Sequence, residues 1–212
     1  MKKTIILIAA FMAIATFSKA QDNKTDFRDR PVFGVKAGLN LSNVYDSQGD
    51  QFTTDGKFGF AAGGFVAIPI GTYLGIQPEI LFSQKGFQAS GNVLGLAYKF
   101  NRTLNYIDVP IFFAVKPSEF FTILVGPQYS YLVKQSDRFS SSAISSDQEH
   151  DFSNNNIRKN TLCFIFGGDV TIQHIVVGLR AGWDVMNNNG DGTSTNPRYK
   201  NVWYQATIGF RI

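Results

Sequence analysis

Phe33–Val44 reads FGVKAGLNLSNV, and two stripes run through it. Phe33, Val35, Ala37, Leu39 and Leu41 fall on one side of a period of two; Gly34, Lys36, Gly38, Asn40 and Ser42 fall on the other. Alternation at that period is the mark of a β-strand with two unlike faces. A water-facing strand would fill its polar stripe with Lys, Glu and Thr. Glycine there destabilises the strand and has nothing to pack against. A crowded interior accounts for the mixture better, because small residues make room for a few long polar ones.

The pattern recurs along the chain. Eight strands are predicted, over 33–44, 57–69, 72–86, 98–116, 119–133, 160–173, 174–186 and 199–212. In each, one parity holds a run that is apolar and free of charge, as in Ile107, Val109, Ile111, Phe113 and Val115, or Ile175, Val177, Leu179, Trp183 and Val185. The other parity carries the glycines together with Lys36, Glu79, Lys85, Asp108, Asp169, Arg180, Asp184 and Arg211. Four cations and four carboxylates balance. Buried charges need partners because desolvation is expensive, so these eight are expected to form a paired network. Eight strands enclose just enough space for side chains. The interior is therefore expected to be plugged and salt-bridged rather than an ion-selective pore.

The connections agree with this. PIGT (69–72), KPSE (116–119) and QHI (173–175) are tight, whereas the other links are long and polar, and the two kinds alternate strictly. All long loops thus fall at one end. Outer-membrane barrels show this asymmetry, with short periplasmic turns, long extracellular loops and an even strand number. Phe33, Phe58, Tyr129, Tyr131, Trp183 and Tyr204 lie near strand ends, where such barrels carry aromatic girdles. Lys99, Asn101, Thr103 and Asn105 occupy the outward parity before Ile107, so the fourth strand is expected to project beyond the membrane. The fold class is an all-β, eight-stranded, antiparallel up-and-down transmembrane barrel.

The N-terminus, MKKTIILIAAFMAIATFSKAQ, has two lysines, an apolar run from Ile5 to Phe17 and small residues around Ala20. This is the layout of a secretory signal peptide over 1–20, with Gln21 starting the mature chain. A polar lead over 21–32 and a barrel domain over 33–212 follow. Lys2, Lys3 and Lys19 account for three of the 20 basic residues, so from Gln21 onward 17 stand against 16 acidic ones. No basic patch for nucleic acid is supported. Cys163 is the only cysteine, which excludes an internal disulfide framework. The 20 glycines and 20 phenylalanines lean toward β structure.

FGVKAGLNLSNV, GFAAGGFVAIPI, IQPEILFSQKG, NYIDVPIFF and VGPQYSYLV together resemble the PorT-like outer-membrane β-barrel family of Gram-negative Bacteroidetes. The similarity spans most of 33–212 and is most specific in IQPEILFSQKG and YIDVPIFF. It implies an eight-stranded outer-membrane barrel; some namesake members serve protein secretion and gliding machinery. The chain departs from a common outer-membrane pattern by ending on Ile212, with Phe210 the nearest aromatic.

Chemistry is weakly signalled. Ser145, Ser146, Glu149, His150 and Asp151 crowd one loop, but a triad is defined by spatial geometry, and clustered loop residues are ordinarily a solvated segment. His174 is read as a turn residue and Cys163 as an interior filler. Asn187, Asn189 and Asp191 before Gly192 have the flavour of a calcium loop, yet the first ligand is not Asp and Arg198 stands where a closing Glu is needed. No cofactor, metal or catalytic residue is expected. The expected role is structural, adhesive or as an envelope-complex partner acting through extracellular loops. Expected partners are outer-membrane lipid, the assembly machinery and envelope or secretion-complex proteins. A small-molecule-binding barrel, a narrow pore and a lipid-modifying enzyme are the rival readings.

Overall fold

The computed structural model describes residues 26–46, 55–93, 96–141, 145–150, 158–187 and 199–212. The predicted signal peptide and most of the calcium-like loop lie outside the described residues. The described residues form nine strands: β1 (Val32–Asp46), β2 (Asp55–Pro69), β3 (Leu74–Val93), β4 (Leu96–Val115), β5 (Phe121–Ser141), β6 (Ser145–His150), β7 (Asn160–Ile172), β8 (Ile175–Asp184) and β9 (Tyr199–Arg211). Neighbours pair antiparallel in the order β4-β3-β2-β1-β9-β8-β7-β5-β6, and β4 also pairs with β5. That last pairing closes eight strands into a barrel and leaves β6 outside it.

Two expectations about loops need correction. The stretch after Gly86 is not a loop: β3 and β4 stay paired from Lys85↔Leu104 to Val93↔Leu96. Residues 87–97, FQASGNVLGLA, mix small, polar and apolar side chains without a sustained alternation, which reads as a strand end. A hairpin standing clear of the membrane meets water on its outer side and needs no apolar stripe there. The long polar segment after β5 likewise folds back as β6, pairing from Gln135↔His150 to Ser140↔Ser145. The opposite end is as tight as expected. Ile70 N donates to Leu74 O (2.8 Å) and Lys116 N to Tyr73 O (2.7 Å).

The faces are those of a membrane barrel. Outward-facing Phe58, Ile80, Leu179 and Ile208 are each at least 62% exposed, whereas Lys36, Glu79, Lys85 and Arg180 are at most 6% exposed. A soluble protein shows the reverse, since buried charge is rare and contiguous exposed apolar surface is small. In a bilayer the arrangement is the stable one. The crossing is made by strands; among the described residues no helix is long and apolar enough to make it.

The interior is more apolar than the sequence suggested. Phe65, Leu81, Phe112, Leu124, Ile165 and Trp203 fill it beside the charges. Several glycines exist to admit these groups. A Cβ on Gly34 would stand 2.3 Å from the Phe65 ring, and one on Gly182 2.4 Å from Trp203. Others let strands approach, as at Gly63, where a Cβ would meet Ile80 O at 2.0 Å. Glycine thus makes room for aromatics and backbone as well as for long polar chains.

Candidate functional site

The lumen is stacked in levels, each built from inward residues of several strands. Nearest the short turns, β1, β3, β7 and β8 contribute Lys36, Glu79, Asp169 and Arg180. Lys36 Nζ lies 2.5 Å from Glu79 Oε1, and Arg180 Nη1 lies 2.8 Å from Glu79 Oε2. Arg180 Nη2 reaches Asp169 Oδ1 at 3.1 Å. Gln77 Nε2 donates to Glu79 Oε1 (2.9 Å), and the Phe112 ring lies 4.9 Å from the Arg180 guanidinium. The quartet is electrically neutral. Glycine again makes it fit: a Cβ on Gly178 would stand 2.5 Å from Asp169 Oδ1.

Asn40 links this level to the next. Its Nδ2 donates to Ser83 Oγ (2.9 Å), and its Oδ1 accepts from Gln205 Nε2 (2.9 Å). Above it, Lys85 Nζ pairs with Asp108 Oδ2 at 2.9 Å and sits 3.7 Å from the Trp203 ring. Ser130 Oγ donates to Asp108 Oδ1 (2.6 Å). Asp184 stands alongside, accepting from Asn201 N (3.0 Å), Asn201 Nδ2 (2.5 Å) and Cys163 Sγ (3.1 Å). The Cys163 thiol is 1% exposed and committed to these partners.

The top level belongs to the overrun. Arg102 makes a two-pronged bond to Asp137 (Nε to Oδ1 2.8 Å, Nη2 to Oδ2 2.7 Å) and donates from Nη1 to Tyr199 OH (2.8 Å). Phe87 packs against Phe100 and Tyr199, with centroids 5.9 and 5.5 Å away. Lys57 leaves the lumen, crossing Gly86 to the outward row of β4, where it bonds Asn101 Oδ1 (2.6 Å) and Thr103 Oγ1. None of Arg102, Asp137, Tyr199 and Lys57 was singled out in the sequence: Asp137 lies beyond the predicted strand 119–133, and the other three stand toward the polar ends of predicted strands, where no apolar stripe marks the faces.

At the other end the chain before β1 corks the barrel. Phe27 is 8% exposed, with the guanidinium groups of Arg30 and Arg211 4.2 and 4.5 Å from its ring and His174 against its edge. Arg211 therefore stands at the mouth, apart from the other seven charges, and its Nε donates to Gln173 O (3.0 Å). Phe27 also escaped sequence reading, since one aromatic in a polar lead has no period to betray it. Asp26 is held below the usual carboxylate range by its hydrogen bonds from Arg28.

The arrangement binds strands together and fills the bore. Ser145, Ser146, Glu149 and His150 run in sequence along β6, and His150 lies opposite Gln135; Asp151 lies outside the described residues. His174 Nδ1 is engaged with Arg211 O at 2.9 Å. Among the described residues, no three His, Cys, Asp or Glu side chains are grouped to hold a metal ion.

Comparison with known proteins gives the fold independent company. The attachment invasion locus protein Ail of Yersinia pestis matches with a TM-score of 0.51 at 13% identity, over 86% of this chain and 99% of that one. Ail in complex with the heparin analogue sucrose octasulfate matches at 0.52, also at 13% identity, over the same shares. Neisserial surface protein A gives 0.47 at 10% identity, over 84% of this chain and 96% of that one. No curated protein matches the sequence. The model of the outer membrane protein β-barrel domain matches residues 19–190. The chain belongs to the outer membrane protein β-barrel domain family and resides in the outer membrane of a Gram-negative bacterium.

Proposed function

We propose that the protein is a sealed, non-catalytic anchor whose role is performed by its extracellular sheet. The observation that carries this reading is the overrun: β3, β4 and β5 continue past the closed barrel and β6 adds a further edge to them. Below that sheet the bore is filled with paired charges and aromatics, which argues against conduction. An edge strand with unpaired backbone groups is a ready template for an extended partner. Adhesion, or docking of an envelope or secretion-complex protein, is the corresponding role. The attachment role in the name of Ail supports adhesion.

The finer assignment is PorT-like, on the motifs IQPEILFSQKG and YIDVPIFF. Export proceeds through a signal peptide cleaved between Ala20 and Gln21, followed by insertion by the outer-membrane assembly machinery. The test is replacement of residues 88–101 with a short Gly-Ser link. Cells should keep the protein in the outer membrane at normal level and lose surface binding or captured envelope partners. Unchanged binding, or channel conductance by the purified parent in planar bilayers, would refute the reading.

A further inference from the structure

The barrel's periplasmic mouth encloses a small cavity of about 30 Å³ lined by more cations than carboxylates. Lys116, Arg211 and Arg28 line it, together with Glu119 and Asp169. Asp169 already serves Arg180 inside the lumen. Arg28 is held by Asp26, at 2.7 Å. Lys116 and Arg211 have carbonyl partners instead: Lys116 Nζ donates to Arg28 O (3.2 Å) and Arg211 Nε to Gln173 O.

Lys116 is the unusual member. It is 6% exposed although it lies in a turn, and it reaches inward across Gly75, where a Cβ would stand 3.4 Å from its Nζ. Burial lowers its pKa below the usual lysine value, repulsion from Arg211 and Arg28 adds to this, and attraction to Asp26 and Asp29 only partly offsets it. A buried ammonium beside two guanidinium groups is stabilised by an anion that bridges them. Planar guanidinium and compact ammonium together suit a tetrahedral phosphate. The cavity holds a water or two, so a phosphate would sit at its lip, at the depth of the inner-leaflet headgroups.

We propose that this mouth binds a phosphate group, with Lys116 and Arg211 as its ligands and Arg28 alongside. The group is a phospholipid phosphodiester or free phosphate. The site is independent of the extracellular role and ties the cork around Phe27 to the membrane surface.

The test is calorimetric titration of the full chain in an uncharged, phosphate-free detergent. The probes are inorganic phosphate, a short-chain phosphatidylglycerol and the matching diacylglycerol. Both phosphate compounds should bind, and the diacylglycerol should not. The double variant Lys116→Gln, Arg211→Gln should bind at least tenfold more weakly, while extracellular Arg138→Gln binds as the parent does. Phosphatidylglycerol binding tenfold tighter than phosphate identifies the headgroup as the source; equal affinities identify free phosphate. No binding by either phosphate compound, equal binding of the diacylglycerol, or an unaffected double variant would overturn the proposal. Should the double variant fail to fold, Lys116→Gln alone must weaken binding at least threefold, and unchanged affinity in it would also overturn the proposal.

Discussion

Strand β4 passes through two environments. In its lower half the outward row is Ile107, Val109, Ile111, Phe113 and Val115; in its upper half the same row becomes Lys99, Asn101, Thr103 and Asn105. The inward row hardly notices the change, running Phe112, Asp108, Tyr106 and Leu104 to Arg102. One row thus reports the solvent outside and the other reports the packing inside. The level between Asn105 and Ile107, where the β4–β5 register also shifts, marks where hydrocarbon gives way to water.

The largest effect should come from breaking the inner row. Glu79→Ala removes the carboxylate that both Lys36 and Arg180 use and leaves buried cation behind. A loss of about 3–5 kcal/mol is expected, read as a lower urea midpoint and a lower temperature for the heat-dependent gel shift. An unchanged midpoint would mean that the quartet is not a stabilising network.

Next comes the outer row, probed by one substitution at two heights. Ile111→Lys should cost about 2–4 kcal/mol in lipid vesicles, and Asn105→Lys about 0–1. Equal costs would erase the boundary drawn above. A smaller, local effect is expected of Arg102→Ala, which removes the bonds to Asp137 and Tyr199. The overrun should exchange amide hydrogens and admit protease faster, with the barrel midpoint little changed. Smallest is Gln173→Gly in the β7–β8 turn, where Gln173 has φ 54°. Glycine adopts that conformation without steric cost, so the midpoint should rise by no more than about 1 kcal/mol. A large change there would mean that stability depends on the turn more than on the rows.

Parity was legible in the sequence because a lipid-facing row tolerates no charge, so every strand of the barrel announces its outer face. Which inner residues meet was not legible. Partners such as Lys36 and Glu79, 43 positions apart, are chosen by strand tilt and stagger, which leave no trace in period-two patterning. The overrun was hidden because 87–97 mixes glycine, polar and apolar residues with no sustained alternation, so a water-exposed hairpin reads there like a loop. Arg102 and Lys57 were missed because they stand toward the polar ends of their predicted strands, although Lys99 to Asn105 already showed that β4 outruns the bilayer. Phe27 was missed for want of any repeat around it.

The claim beneath the rest is orientation, and the two tryptophans test it. Trp183 packs outside against Phe164 and Phe166, whereas Trp203 is 1% exposed beside Lys85 in the lumen. Variants keeping one tryptophan each, reconstituted with phospholipids brominated along their acyl chains, separate the faces. Strong quenching of Trp183 with little of Trp203 is the predicted result; quenching of Trp203, or of Trp183 only by a water-soluble quencher, would contradict it.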